Sequence, residues 1–117
     1  MSLPVVNGSS FKRTIEANKL TFIEFSAKWC PPCRVLHPIL EELQQEQKGK
    51  VKIYQVDCDE SPELSSRYSV MSMPTVILFH NGVPVEKLVG LRPKEVYRTL
   101  LGRYANERAT SSEDASE

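Results

Sequence analysis

A short apolar run, Leu20 to Ser26, leads almost directly into Trp29-Cys30-Pro31-Pro32-Cys33, and a helical pattern opens there and extends to about Lys48. This junction restricts the fold more than any other feature. Two cysteines spaced C-x-x-C at the start of a helix can close a small disulfide ring and open it again. The free backbone N–H groups and the macrodipole at that end favour negative charge. A cysteine placed there loses its proton readily, and the thiolate is the reactive form. Cys30 falls just ahead of the helix, where its sulfur is expected to be exposed. Cys33 falls inside the first turn and is expected to be more buried. That asymmetry supplies one attacking and one resolving thiol. Proline is tolerated in the first helical turn, where its missing N–H has no partner to lose. Pro31 and Pro32 also take two N–H groups out of the loop, so a Cys30 thiolate is expected to lean on the N–H of Cys33 and its neighbours.

A zinc site and an inert disulfide are the competing readings of the pair. Zinc takes four ligands, and Cys58, His37 and His80, the other candidates, form no second C-x-x-C or H-x-x-H pair. The dithiol reading is preferred in this strand–helix context.

The rest of the chain reads as alternating strands and helices. Leu3 to Val6 suggests a first strand, and Asn7-Gly8-Ser9-Ser10 a turn with Ser9 or Ser10 as helix cap. Phe11, Thr14, Ile15 and Asn18 recur at helical spacing, which predicts a helix to about Ala17. The helix after the cysteines carries Val35, Leu36, Ile39, Leu40 and Leu43 on one stripe. Pro38 in its interior predicts a kink, and Gly49 a stop. Val51 to Asp57 predicts a strand, and Ser61-Pro62-Glu63 opens a short helix to about Tyr68. Thr75 to His80 and Val83 to Val89 form a hairpin around Asn81-Gly82, with Pro84 marking an edge strand. A last helix begins near Arg92-Pro93-Lys94-Glu95 and runs through Tyr104, with Val96, Leu100 and Leu101 inward. The order βαβαβαββα implies a central mixed sheet flanked by helices. Residues 1–104 form the domain, and 105–117 are Ser/Glu-rich and expected to be disordered.

The segment from Phe22 through Trp29-Cys30-Pro31-Pro32-Cys33-Arg34, followed by Pro38 and later by Met73-Pro74-Thr75, resembles the thioredoxin family over roughly Leu3 to Tyr104. The resemblance implies the thioredoxin fold and a protein-disulfide reductase in which Cys30 attacks and Cys33 resolves. It implies a cis peptide bond at Pro74, facing the cysteines, and backbone pairing of Met73 with an extended substrate. Trp29, Pro31, Met73, Pro74, Val89, Gly90 and Leu91 would form the apolar docking surface. Glu24 stands where the family usually has Asp, implying a proton acceptor for Cys33 with its pKa raised by burial. Gln55 stands where Lys is typical, so Glu24 is expected to have lost a positive neighbour. Electrons are expected from NADPH through a thioredoxin reductase, with no cofactor bound to a monomeric chain. Pro31-Pro32 departs from the usual Gly-Pro, which keeps an isomerase or oxidase module open beside the reductase. A non-catalytic interaction protein is the third reading, weakened by the presence of both cysteines.

Lys28 and Arg34 either favour the thiolate or are solvated surface. Cys58 reads as a buried small hydrophobe. His37, four residues after Cys33, could tune that thiol but is expected at the surface or in a capping role, and His80 is expected at the surface.

The 117-residue length fits one domain with its own core. Three cysteines is an odd number, which argues against a secreted disulfide framework. No basic segment followed by an apolar block opens the chain, and no run is long enough to span a membrane, so a cytoplasmic protein is expected. The net charge is zero; Glu107, Glu113, Asp114 and Glu117 against Arg108 leave the tail at −3 and the body at +3. Neither excess is of the size that nucleic-acid binding requires.

Overall fold

The computed structural model describes the backbone of residues 3–116 and the side chains of 3–105. The elements are α1 (Phe11–Ala17), β1 (Leu20–Ser26), α2 (Pro31–Glu46), β2 (Lys52–Asp57), α3 (Pro62–Arg67), β3 (Thr75–His80), β4 (Val83–Val89) and α4 (Lys94–Ser116). The sheet has the order β2-β1-β3-β4. β1 pairs parallel with β2 and antiparallel with β3, and β4 returns antiparallel on β3. This is the mixed sheet with flanking helices that the sequence predicts.

The expected first strand is reduced to a single bridge between Val5 and Gln55. Val6 N–H donates to the Gln55 carbonyl at 2.8 Å and Gln55 N–H to the Pro4 carbonyl at 2.9 Å. Pro4 has no N–H with which to extend the ladder. Ser10 is the N-cap of α1, but its side chain makes no cap bond. Asn7 holds the turn instead, its Oδ1 accepting from the N–H groups of Ser9 and Ser10 at 3.1 and 3.3 Å.

β1 lies in the sheet interior and is buried at every position. Its alternating side chains feed two cores. Leu20 and Phe22 join Leu36, Leu40, Leu43, Tyr97 and Leu101 beneath α2 and α4. Ile23 and Phe25 join Phe11, Ile15, Leu64 and Phe79 beneath α1 and α3. Glu24 has the parity of Phe22 and therefore points to the α2 and α4 side. Tyr97, not Val96, is the fully buried residue of α4, with its ring edge-on to Phe22 at 5.5 Å. Val35, expected on the buried stripe of α2, is 53% exposed.

β4 is the edge strand, and a bulge between Leu78 and Phe79 places Pro84 opposite Phe79. Asn81 and Gly82 both have positive φ, 52° and 84°, as a tight hairpin turn of this type needs. His80, expected at the surface, is half-buried with its ring against Tyr104. The backbone of α4 continues to Ser116, past the expected end near Tyr104. No proline follows Pro93, and Ala105, Arg108, Ala109 and Glu113 are helix formers. The expectation of a disordered tail from 105 falls mostly on residues whose side chains lie outside the described ones.

Candidate functional site

The site forms where β1 ends and α2 begins. Cys30 is the N-cap of α2, with extended backbone (φ −96°, ψ 107°), and Pro31 and Pro32 take the first helical positions. Cys30 and Cys33 are joined as a disulfide. The N–H of Cys33 points at Cys30 Sγ from 3.3 Å. With two prolines between them, Cys33 supplies the first N–H of the helix that is able to reach that sulfur. This is the contact expected from the spacing.

Cys30 is less exposed than expected, 2% against 0% for Cys33. The pair packs with Ala27 and Met73 in a small apolar cluster, and Cys30 Sγ lies 3.5 Å from the Met73 carbonyl oxygen. A covering side chain from the opposite loop, which local sequence does not reveal, accounts for the difference.

The Met73–Pro74 peptide bond is cis, as the resemblance implies. Pro74 is buried, and its carbonyl accepts the N–H of Gly90 at 2.8 Å. That bond brings Val89, Gly90 and Leu91 to the same loop cluster as Met73. Gly90 has φ 92°, a left-handed conformation suited to glycine. Val89 and Leu91 are 47% and 44% exposed, and Trp29 is 61% exposed with its indole N–H donating to Asp59 Oδ2 at 2.9 Å. Pro31 is exposed beside Trp29 and Cys30. Arg34 donates to the Lys28 carbonyl at 2.9 Å, and Lys28 lies 4.0 Å from Glu60, with both ends of that pair in solvent. Their surface reading is the one the geometry favours.

Glu24 has no exposed surface. Burial pushes its carboxyl above the ordinary value, opposed by a hydrogen bond and charge from His37. Oε1 lies 3.1 Å from His37 Nε2. The expectation that Gln55 leaves Glu24 without a basic neighbour is therefore corrected. Gln55 does sit level with Glu24 on the adjacent strand, but its amide nitrogen meets His37 Nε2 at 3.1 Å. The basic partner arrives from α2 instead of β2. His37 is thus no cap: its side chain is partly exposed, with Nε2 turned inward to Glu24. Its place four residues after Cys33, on the same side of α2, was the available signal. The hydrogen bond to Glu24 is the main influence raising the His37 pKa, against its own desolvation, and the charges of Glu24 and Glu41 add to it.

Cys58 is 7% exposed within the core beneath α1 and α3, and burial pushes its thiol up. Among the described residues no group of three or more His, Cys, Asp or Glu side chains is placed to hold a metal ion, and no helix is long and apolar enough to cross a membrane.

A disulfide capping a helix and facing a cis proline, on this sheet, defines a thiol–disulfide oxidoreductase. The thioredoxin family model matches residues 2–102. Thioredoxin of Staphylococcus epidermidis is 40% identical over 104 residues, covering 89% of this chain and 99% of that protein. Thioredoxin of Staphylococcus aureus is 38% identical with the same coverage. Among solved structures, a mutant thioredoxin from Halobacterium salinarum superposes with a TM-score of 0.80 at 31% identity, covering 86% of this chain and 88% of that one. Thioredoxin of Plasmodium falciparum gives 0.79 at 30% identity, covering 87% and 99%. The chain belongs to the thioredoxin family.

Proposed function

We propose that the Cys30-Pro31-Pro32-Cys33 segment is the active site through which this protein reduces disulfide bonds in protein substrates. The observation that carries this reading is Cys30 Sγ at the N-cap of α2, in reach of the Cys33 N–H at 3.3 Å and of the Met73 backbone beside a cis proline. In the reduced protein the Cys30 thiolate attacks a substrate disulfide. A Cys30–substrate bond forms, the substrate S–S bond breaks, and one substrate sulfur leaves as a thiolate. Cys33 then gives its proton to Glu24 and attacks Cys30 Sγ. The Cys30–Cys33 bond forms, the mixed disulfide breaks, and the second substrate sulfur leaves. Two electrons pass to the substrate. Trp29, Pro31, Val89 and Leu91 seat the substrate, and the Met73 backbone pairs with its extended segment. A thioredoxin reductase drawing on NADPH returns the pair to dithiol, and the cytoplasm supplies the matching reducing environment.

The prolines bear on the direction of the reaction. A thiolate stabilised by many donors leaves an oxidising disulfide, because its reduced form is favoured. Pro31 and Pro32 withhold two N–H groups from Cys30 and leave it that of Cys33. This favours a reductant over an oxidase or isomerase. Insulin reduction driven by dithiothreitol tests the activity, and equilibration with glutathione tests the direction. The expected potential lies near the reducing end of the fold's range, about −270 mV, and a value near about −120 mV would make the protein an oxidant. Absence of insulin reduction would remove the reading altogether.

A further inference from the structure

Proton transfer from Cys33 leaves a proton on a carboxyl group that has no contact with solvent. Glu24 can take that proton only while ionised, so a carboxyl that burial holds in its neutral form must first give up its own. Among the described residues, the charged partner of Glu24 is His37, with Nε2 3.1 Å from Oε1. The His37 side chain is 32% exposed. It borders a cavity of about 530 Å³ that is also lined by Lys28, Arg34, Asp57 and Glu60, two cations and two anions. The imidazole is therefore the boundary between the buried acid and water.

Three groups converge on one ring nitrogen. Glu24 Oε1 and the Gln55 amide nitrogen are each 3.1 Å from His37 Nε2, and Ser26 Oγ is 3.3 Å away. A protonated Nε2 has the Ser26 hydroxyl oxygen as acceptor and the carboxylate 3.1 Å away as its counter-charge. A deprotonated Nε2 accepts, and the Gln55 amide and the Ser26 O–H are its donors. Both protonation states of the same nitrogen thus have partners in place. A fixed ion pair has no use for a donor aimed at its cation. The Gln at position 55 is what provides one, where a lysine would place a second positive charge.

We propose that His37 is the proton exit of this active site: Nε2 takes from Glu24 the proton that keeps it from accepting the one on Cys33, and the partly exposed ring releases it to solvent. The proposal rests on the dithiol reading above. The balance is simple. Neutral Glu24 becomes ionised, imidazole becomes imidazolium and then neutral again as Nε2 releases the proton, one proton reaches water, and Cys33 S–H then passes its own proton to the carboxylate. The electron pair stays in the new Cys30–Cys33 bond. Among the described residues, Glu41 from the next turn of α2 adds to the rise at His37, and Tyr97 of α4, raised first by its burial, feels the Glu24 charge. Burial holds the Glu24 carboxyl up and the bond to Glu24 holds His37 up, so loss of the proton from one changes the affinity of the other.

The test mixes reduced protein with an aryl disulfide that liberates coloured nitrothiobenzoate once when Cys30 attacks and again when Cys33 resolves. In His37→Ala the second release is expected to slow by about tenfold or more. Its pH profile should change, the first release should keep its rate, and imidazole in the buffer should restore the second. His37→Lys, which keeps a positive charge, should remain slow. Wild-type rates and pH profile in His37→Ala, or full recovery in His37→Lys, would overturn the relay while leaving the reductase standing. A wild-type protein that releases only the first nitrothiobenzoate would instead overturn the dithiol reading. Should His37→Ala fail to fold, His37→Gln gives the same comparison of rates and pH profiles.

Discussion

Glu24 Oε1 and His37 Nε2 lie 3.1 Å apart across the interface of β1 and α2, the carboxylate fully buried and the imidazole partly in solvent. Burial outweighs the imidazole, so the carboxyl of the folded chain holds its proton above the ordinary value of 4.5. Between these values the folded state binds more protons than the unfolded state. Stability therefore falls as pH rises from about 4.5 through the folded value. Glu24→Gln removes this dependence. Above the folded value the variant is expected to be more stable by about 1–3 kcal/mol, the usual cost of a buried polar group without adequate partners. The two proteins should converge below about pH 4.5. Denaturant unfolding across pH checks this, and parallel stability curves would contradict it.

Cys33→Ser leaves Cys30 able to attack but unable to be released. The variant is expected to accumulate covalent mixed disulfides with reducible proteins, visible on non-reducing gels and lost on adding dithiothreitol. Cys30→Ser should accumulate none. Equal trapping by the two variants would contradict the assigned order of attack.

Trp29 is exposed and tied to Asp59 at its indole nitrogen. Its removal therefore touches docking more than folding. Trp29→Ala is expected to raise KM for protein disulfides several-fold, with stability changed by less than about 0.5 kcal/mol. Steady-state insulin reduction and a thermal melt separate the two effects. A large loss of stability with KM unchanged would contradict the docking role.

Gly90 combines φ 92° with the N–H bond to Pro74 at the lip of the proposed docking surface. A Cβ there meets no atom within 4 Å, so the strain of Gly90→Ala is in the backbone. The substitution is expected to cost about 1–2 kcal/mol and to raise KM by displacing Val89 and Leu91. Unfolding midpoints and insulin kinetics check both parts, and a neutral variant would contradict the account.

Most of the architecture was legible because neighbouring residues determine it. The apolar run of β1, the proline pair opening α2 and Asn81-Gly82 between β3 and β4 each specify their element locally. The first strand failed because its contribution depends on Pro4 and on how much of β2 it can reach, which is a tertiary matter. Ser10 is the N-cap without a side-chain cap bond for a similar reason, since Asn7 and Ser10 side chains bond within the turn that precedes the helix. In the site, Cys30, Cys33 and the loop at Pro74 were recognisable from motif. The burial of Cys30 was not, because Met73 covers it from a distance of forty-three residues in the chain. Glu24 stood out as an acid in an apolar strand, yet its partner was sought at position 55 on β2. The helix that crosses above supplies it at position 37, and only the packing of α2 on β1 brings the two together.

The central claim is that Cys30 and Cys33 exchange electrons with a substrate disulfide. Fully reduced protein, mixed with insulin in the absence of any other reductant, tests it most directly. Mass mapping is predicted to show a Cys30–Cys33 bond in each molecule that has reacted, with a pair of insulin thiols freed for every bond formed. Insulin that stays intact while both cysteines remain thiols would contradict the account.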